Sequence, residues 1–426
     1  MSAPAIRPAQ PRVASEKDAL PPRLSPFRHQ PPVHSPVPLR AFVPAAGQLL
    51  RLGADPRPGL VALLEAAYAA DRVVLCSSGT AALQLAIRVA AAHASEPGPV
   101  ALPAYTCYDV AAAAVGADVG RGLAVFDVDP SALAPDLDSL ERVLRAGARV
   151  VVVSPLYGIP VDWEAIQALC DAHGAVLVED AAQGHGASWR GRPLGALGRI
   201  SVLSFGRGKG WTGGEGGAVL LRGAFAATEV ETEGRAAWGG AVGEASVLAG
   251  TLAQKVLARP SLYALPRALP WLHLGETRYR PPTPPAPMTR VAAALLRASR
   301  NEAEREAEAR RGAGQFFRER LAVLANVRIP VPPADAKPGY LRFPVLVRGG
   351  VAALGPAGRV RRFGVERGYP RPLSELGPVR ERLIGDSGRL TGADRLAREL
   401  VTLPTGSLLS EPERHALVDL IRRSQP

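Results

Sequence analysis

A chain of 426 residues, 47% of them hydrophobic, exceeds one ordinary core and carries material for two packed lobes. Its formal charge of +12 does not describe a nucleic-acid surface, because aromatics make up only 5% and no basic run is interleaved with stacking rings. Cys76, Cys107 and Cys170 show no C-x-x-C spacing, which argues against a disulfide framework or a zinc knuckle and fits a reducing compartment. The longest apolar stretches are broken by charge and proline, and the first residues lack the apolar core of a signal peptide. A soluble, cytoplasmic protein without bound metal is the expectation.

Residues 1–45 are dense in proline and arginine and poor in periodic apolar positions, so a mostly disordered tail is expected there. From Gly59 to Ala70, the residues Leu60, Leu63, Leu64 and Ala67 recur at helical spacing. A short strand at Val73–Leu75 then meets Ser77, Ser78, Gly79 and Thr80, and an alanine-rich helix begins at once. Such a turn leaves backbone N–H groups free at a helix N-terminus, beside hydroxyls, where a phosphate can sit. Plain N-capping by Ser78 or Thr80 is the competing explanation.

Strand and helix alternate again through Pro103 and the Tyr105–Tyr108 turn, then through an amphipathic helix on Leu140, Val143 and Leu144. The run Val150–Val153 reads as a buried strand, and Asp162 as the cap of the next helix. This alternation predicts an α/β fold: a mostly parallel sheet with helices on both faces and ligand groups at the strand C-terminal ends. After Leu221 it stops. Residues 223–290 read as irregular, a long helix runs from Val291 to about Leu324, and short strands and helices complete a smaller α+β lobe. The expected division is a tail at 1–45, a large domain at 46–255 and a smaller C-terminal domain at 256–426.

The chemistry concentrates between Val176 and Val219. A buried strand, Val176–Val178, runs into Glu179 and ends on Asp180; a second apolar run, Ser201–Phe205, leads to Lys209 among Gly206, Gly208, Gly210, Gly213 and Gly214. Only four residues of the chain are lysines, and Lys17, Lys255 and Lys337 lie in a tail, a helical stretch and a loop. Arginine cannot lose its proton to form an imine, so Lys209 is the residue suited to hold a carbonyl cofactor as a Schiff base, with pyridoxal 5'-phosphate the natural candidate. A Walker loop is excluded, since Leu203 and Gly210 stand where its first Gly and its Ser or Thr belong. Asp180 is placed to keep a pyridine nitrogen protonated, and Gln183, three residues on, to reach the ring hydroxyl. Ser204 can join Gly79, Thr80 and Ala81 around the phosphate.

The segments SSGTAAL (77–83), LPAYT (102–106), FDVDP (126–130), PLYGIPVD (155–162), VEDAAQGHGA (178–187) and SFGRGKGWTGGEGG (204–217) stand in one order. In that order they resemble the DegT/StrS-type sugar aminotransferases, which are pyridoxal-phosphate enzymes of fold type I. The resemblance covers roughly residues 50–426. It implies the cofactor-bearing role for Lys209, the ring-nitrogen contact for Asp180, and the ring hydroxyl for Gln183. It also implies phosphate contacts from Gly79, Thr80, Ala81 and Ser204. The reaction implied passes an amino group from L-glutamate or glutamine to a keto sugar, often nucleotide-linked, in a homodimer. A non-catalytic relative that binds pyridoxal phosphate or a sugar nucleotide as a sensor or partner protein is the alternative, because Cys107 stands where many relatives carry a ring-stacking aromatic and ETRYRPPTPPAP, before Met288, lacks the asparagine of their partner-subunit loop; YPRPLSEL (369–376) also lacks their histidine.

Overall fold

The computed structural model describes residues 28–230, 232, 240–267 and 277–424, so the first 27 residues of the expected tail lie outside the described residues. Seven strands make the central sheet: β1 (Arg72–Cys76), β2 (Val100–Pro103), β3 (Leu123–Phe126), β4 (Val150–Val153), β5 (Val176–Asp180), β6 (Ile200–Ser204) and β7 (Gly217–Leu221). Their spatial order is β1-β7-β6-β5-β4-β2-β3. Only β7 runs against its neighbours, antiparallel to both β1 and β6. Strand β4 is four valines, all buried, as expected of a strand covered on both faces.

The helices that cover the sheet start where the sequence places their caps. Extended Ser78 caps the helix Gly79–His93 by accepting from the Ala81 N–H at 3.0 Å. That helix buries Leu83, Leu85, Ile87 and Val89, each worth about 1.5–3 kcal/mol of apolar burial. Asp162 caps the helix Trp163–Ala172 in the same way.

A second sheet is antiparallel: β8 (Val327–Arg328), β9 (Phe343–Val347), β10 (Glu366–Arg367) and β11 (Leu400–Leu403), in the order β8-β9-β11-β10. The long helix Arg290–Leu321 serves both sheets. Its first half packs Ala292, Ala293 and Leu296 among large-sheet side chains, and its second half packs Phe317 and Leu321 with Phe343 and Val345. At 32 residues it is about 48 Å long.

Two expectations need correction. The segment 223–290 is not wholly irregular, since Ala241–Leu257 is a helix whose many small residues blur its period. Its Glu244 carboxylate accepts from the Arg290 and Val291 N–H groups at 3.0 and 2.8 Å, closing the start of the long helix. Nor is the described part of the tail disordered. Residues 28–38 run as an extended strap across the body, and Phe42–Leu49 is a helix that buries Ala45 against Val291 and Leu295. Proline-rich backbone forms few ladders of its own, so this order comes from distant partners. Arg28 and Gln30 each hold Glu413 at 2.7 Å, and Arg342 donates to the Pro32 carbonyl.

Among the described residues no helix is long and apolar enough to cross a membrane.

Candidate active site

Strand β5 ends on two adjacent acids that period-two geometry sends to opposite faces. Glu179 is fully buried, and its carboxylate accepts from the N–H groups of Gly195, Leu197 and Gly198 and from the Ser201 hydroxyl, at 2.6, 3.0, 2.9 and 2.8 Å. It fastens the 195–201 loop. Among the described residues Asp180 accepts from only two groups, the Ser154 hydroxyl at 2.8 Å and the Ala182 N–H at 3.1 Å. Ser154 follows β4, whose Val153 is paired with Glu179, so the serine stands beside Asp180. Burial raises the Asp180 carboxyl above its ordinary range, while the Ser154 hydrogen bond, the Lys209 charge and the Ala182 N–H pull it down.

Lys209 lies on the loop that joins β6 to β7. The loop is pinched by a bridge between Gly206 and Gly214, and Gly208 takes φ 77°, a conformation that favours glycine. The Lys209 N–H donates to the Gly206 carbonyl at 3.2 Å, and the Thr212 hydroxyl to the Phe205 carbonyl at 2.9 Å. Gly210 must be small, because a Cβ there would come within 2.9 Å of the His185 Cβ and 3.0 Å of the Arg310 Nη2. Below the loop, buried Trp211 donates from its indole to the Leu296 carbonyl at 3.1 Å. Burial pushes the His185 imidazole down to about 3, so the ring beside this loop is neutral.

The Lys209 charge acts on Asp180 and on Cys107, opposing in each the rise that burial causes, which puts both within its electrostatic reach. The Cys107 thiol, half-buried, is still pushed up to about 12. Around it stand Tyr105, Tyr108 and Tyr369, the last from the smaller lobe, with Tyr105 and Tyr369 rings 5.4 Å apart and edge-on.

The remaining predicted residues fall at the same edge of the sheet. Gly79 faces Ser204 so closely that a Cβ on the glycine would lie 2.5 Å from the serine Oγ. The Ala81 N–H is taken by the Ser78 cap, while Gly79 and Thr80 begin the helix with N–H groups that have no intrahelical acceptor. The Gln183 amide is held from both sides, accepting from the Tyr157 N–H at 2.9 Å and donating to the Tyr369 hydroxyl at 3.0 Å. Tyr157 itself sits at φ 57°, an uncommon left-handed conformation for a large side chain.

The sequence reading missed Ser154 and Tyr369. A serine one residue past a buried valine strand, parallel to the strand that ends on Asp180, was the available signal for the first. For Tyr369 the resemblance marked only its segment, YPRPLSEL, since the residue arrives from the other lobe.

A mostly parallel sheet that brings a glycine-loop lysine, a buried aspartate and a helix N-terminus to one edge defines an α/β protein of the kind that takes its ligands at the strand C-terminal ends. The family model of the DegT/DnrJ/EryC1/StrS aminotransferase family matches residues 62–232 and 285–422, and the chain belongs to that family. An L-glutamine:2-deoxy-scyllo-inosose aminotransferase of Streptoalloteichus tenebrarius is 32% identical over 218 residues, 49% of this chain and 50% of that protein. A dTDP-3-amino-3,4,6-trideoxy-alpha-D-glucose transaminase of Streptomyces venezuelae is 40% identical over 164 residues, 37% of this chain and 41% of that one. The chain thus spans half or less of the length of the curated relatives it matches. In fold, it superposes on AtS13 from Actinomadura melliaura with a TM-score of 0.71 and 24% identity, covering 93% of this chain and 99% of that one.

Proposed function

We propose that the chain is a pyridoxal-phosphate-dependent aminotransferase that passes an amino group from L-glutamine or L-glutamate to a keto sugar or keto cyclitol. The observation that carries this is Asp180, a buried carboxylate with half its acceptor capacity open, in one site with the lysine of a glycine loop. Family membership supplies the cofactor, and the residues present fit it. The close approach of Gly79 and Ser204 makes a cradle that any larger residue at 79 would fill. Gly79, Thr80 and Ser204 would hold the phosphate, with Ala81 supporting the turn through its bond to Ser78. Asp180 would hold a proton at the ring nitrogen, and Gln183 would bound the ring beside Tyr369.

When bound, the cofactor supplies an electron sink for the carbanion formed at the amino-bearing carbon. The chain's own residues do the rest. Lys209 would hold the cofactor covalently and, freed by the incoming amine, would serve as the base and acid that moves a proton at the amino-bearing carbon. Asp180 keeps its negative charge against the ring, which Ser154 and the Ala182 N–H stabilise. Cys107, which the Lys209 charge reaches, and the tyrosines packed with Tyr369 would bound the substrate's approach.

As a division of the chain we propose a cofactor lobe at 46–255 and a smaller lobe at 256–426, sharing the helix Arg290–Leu321. A homodimer fits the surface: Leu39, Val43, Leu50 and Val242 are each two thirds or more exposed, on helical segments that pack side by side. The unpaired cysteines suit the cytoplasm. The test incubates cofactor-loaded protein with L-glutamine or L-glutamate and follows the 2-oxo acid. A keto cyclitol and a nucleotide-linked keto sugar are then offered in parallel. Amination of either supports the reading, and no 2-oxo acid from either donor contradicts it.

A further inference from the structure

The peptide that carries Lys209 is fixed from outside its own loop. Its carbonyl accepts from the Ser35 hydroxyl at 2.6 Å, and the next carbonyl, of Gly210, faces the Nη2 of buried Arg310 at 3.4 Å. Ser35 lies 174 residues away in the chain, on the strap that crosses the body. The same strap is bound elsewhere by the smaller lobe. Glu413 accepts from Arg28 and Gln30, the Gln30 N–H donates to the Arg362 carbonyl at 2.9 Å, and Arg342 donates to the Pro32 carbonyl. Just past Ser35, the Lys255 ammonium donates to the Val37 carbonyl at 2.6 Å, which ties the strap down on its far side.

We propose that Ser35 is a positioning residue for Lys209. Its hydroxyl fixes the lysine's peptide plane, and the strap thereby couples the lysine to the placement of the smaller lobe. The physical argument is one of freedom. Gly208 and Gly210 flank the lysine, and glycine backbone has the widest range of conformations to lose. A loop of that composition holds one conformation only if outside groups take up its polar atoms. Within the loop, the Lys209 N–H is bonded to Gly206, but the Lys209 carbonyl has its bond from Ser35. Removing that hydroxyl leaves the lysine's own peptide free to rotate, while the β6 and β7 ends of the loop stay paired.

The proposal rests on the reading of Lys209 as the cofactor-bearing residue, and its test separates the two. Full-length wild type, Ser35→Ala and Ser35→Thr are compared first without cofactor, by amide hydrogen exchange over residues 206–213. The alanine variant should exchange roughly fivefold faster there, with the rest of the molecule and the melting temperature unchanged, and threonine should restore protection. With pyridoxal phosphate added, the pH midpoint of the visible band should move in the alanine variant and return in the threonine one. Its turnover with the amino donor should fall roughly fivefold at nearly constant KM. Equal exchange and an equal pH midpoint in wild type and Ser35→Ala would overturn the proposal. A wild-type chain that forms no visible band would instead overturn the assignment of Lys209, whatever the exchange experiment shows.

Discussion

The strand-end acids of the large sheet fall into two regimes. Glu179 is saturated by four donors, and Asp127, just past β3, spends its oxygens on the N–H groups of Val128, Gly392 and Ala393, closing the start of the helix Thr391–Glu399. Asp180, one residue from Glu179 and equally enclosed, keeps about half of its four or so acceptor sites open. A buried carboxylate is costly unless its lone pairs are met. Those that are met hold loops and helices in place. The one left partly open among the described residues lies within reach of the Lys209 charge. Saturation, more than burial, separates the structural acids from the one proposed to act on the cofactor.

The sharpest way to break this comparison is to neutralise Asp180. Asp180→Asn should leave the fold's stability nearly unchanged but slow the reaction with the amino donor by about 10³-fold, measured in a stopped-flow single turnover. Glu179→Ala should do the reverse. It orphans four buried donors, so denaturant unfolding should show a loss of about 3 kcal/mol, with the donor reaction of the folded fraction little altered. A protein in which both variants lost mainly stability would erase the distinction.

Proton linkage at His185 gives a third test. Its folded value of about 3 lies far below the ordinary 6.5, so the unfolded chain binds a proton that the folded one refuses. Its contribution to stability is therefore complete above pH 6.5 and is lost as pH falls from there toward 3, by at most about 1.4 kcal/mol per pH unit. Urea midpoints at two pH values should show this slope, and His185→Gln should flatten it. The smallest effect belongs to Ser154→Ala. It removes one hydrogen bond to Asp180 and should cost about 1 kcal/mol of transition-state stabilisation, near fivefold in rate, without the stability loss of Glu179→Ala.

Much of this site could be read from residue types alone. A single lysine among five glycines, and valine runs that end on an acid, point to their own neighbourhoods because their signals are local. The alternation of strand and helix then predicts that Gly79, Asp180 and Ser204 share one edge of a sheet. Period two also separates Glu179 from Asp180, but which face holds the site depends on the 195–201 loop folding back onto Glu179. The strap shows the limit most clearly. Its prolines and weak periodicity read as a tail, while its order comes from Glu413 and Arg342, more than three hundred residues away. Ser35 could not be singled out from such a segment, nor Tyr369 from a loop of the other lobe. Around Lys255 a helical stretch could be read, but the extent of the helix Ala241–Leu257 was obscured because glycine, alanine, serine and threonine give it little apolar contrast.

The central claim, that Lys209 carries the cofactor opposite Asp180, is tested most directly by the visible spectrum of the purified chain with pyridoxal phosphate, beside Lys209→Ala. The account predicts a yellow band in the wild type that is lost on adding L-glutamine or L-glutamate, and no such band in the variant. The same band in both proteins, indifferent to either donor, would contradict it.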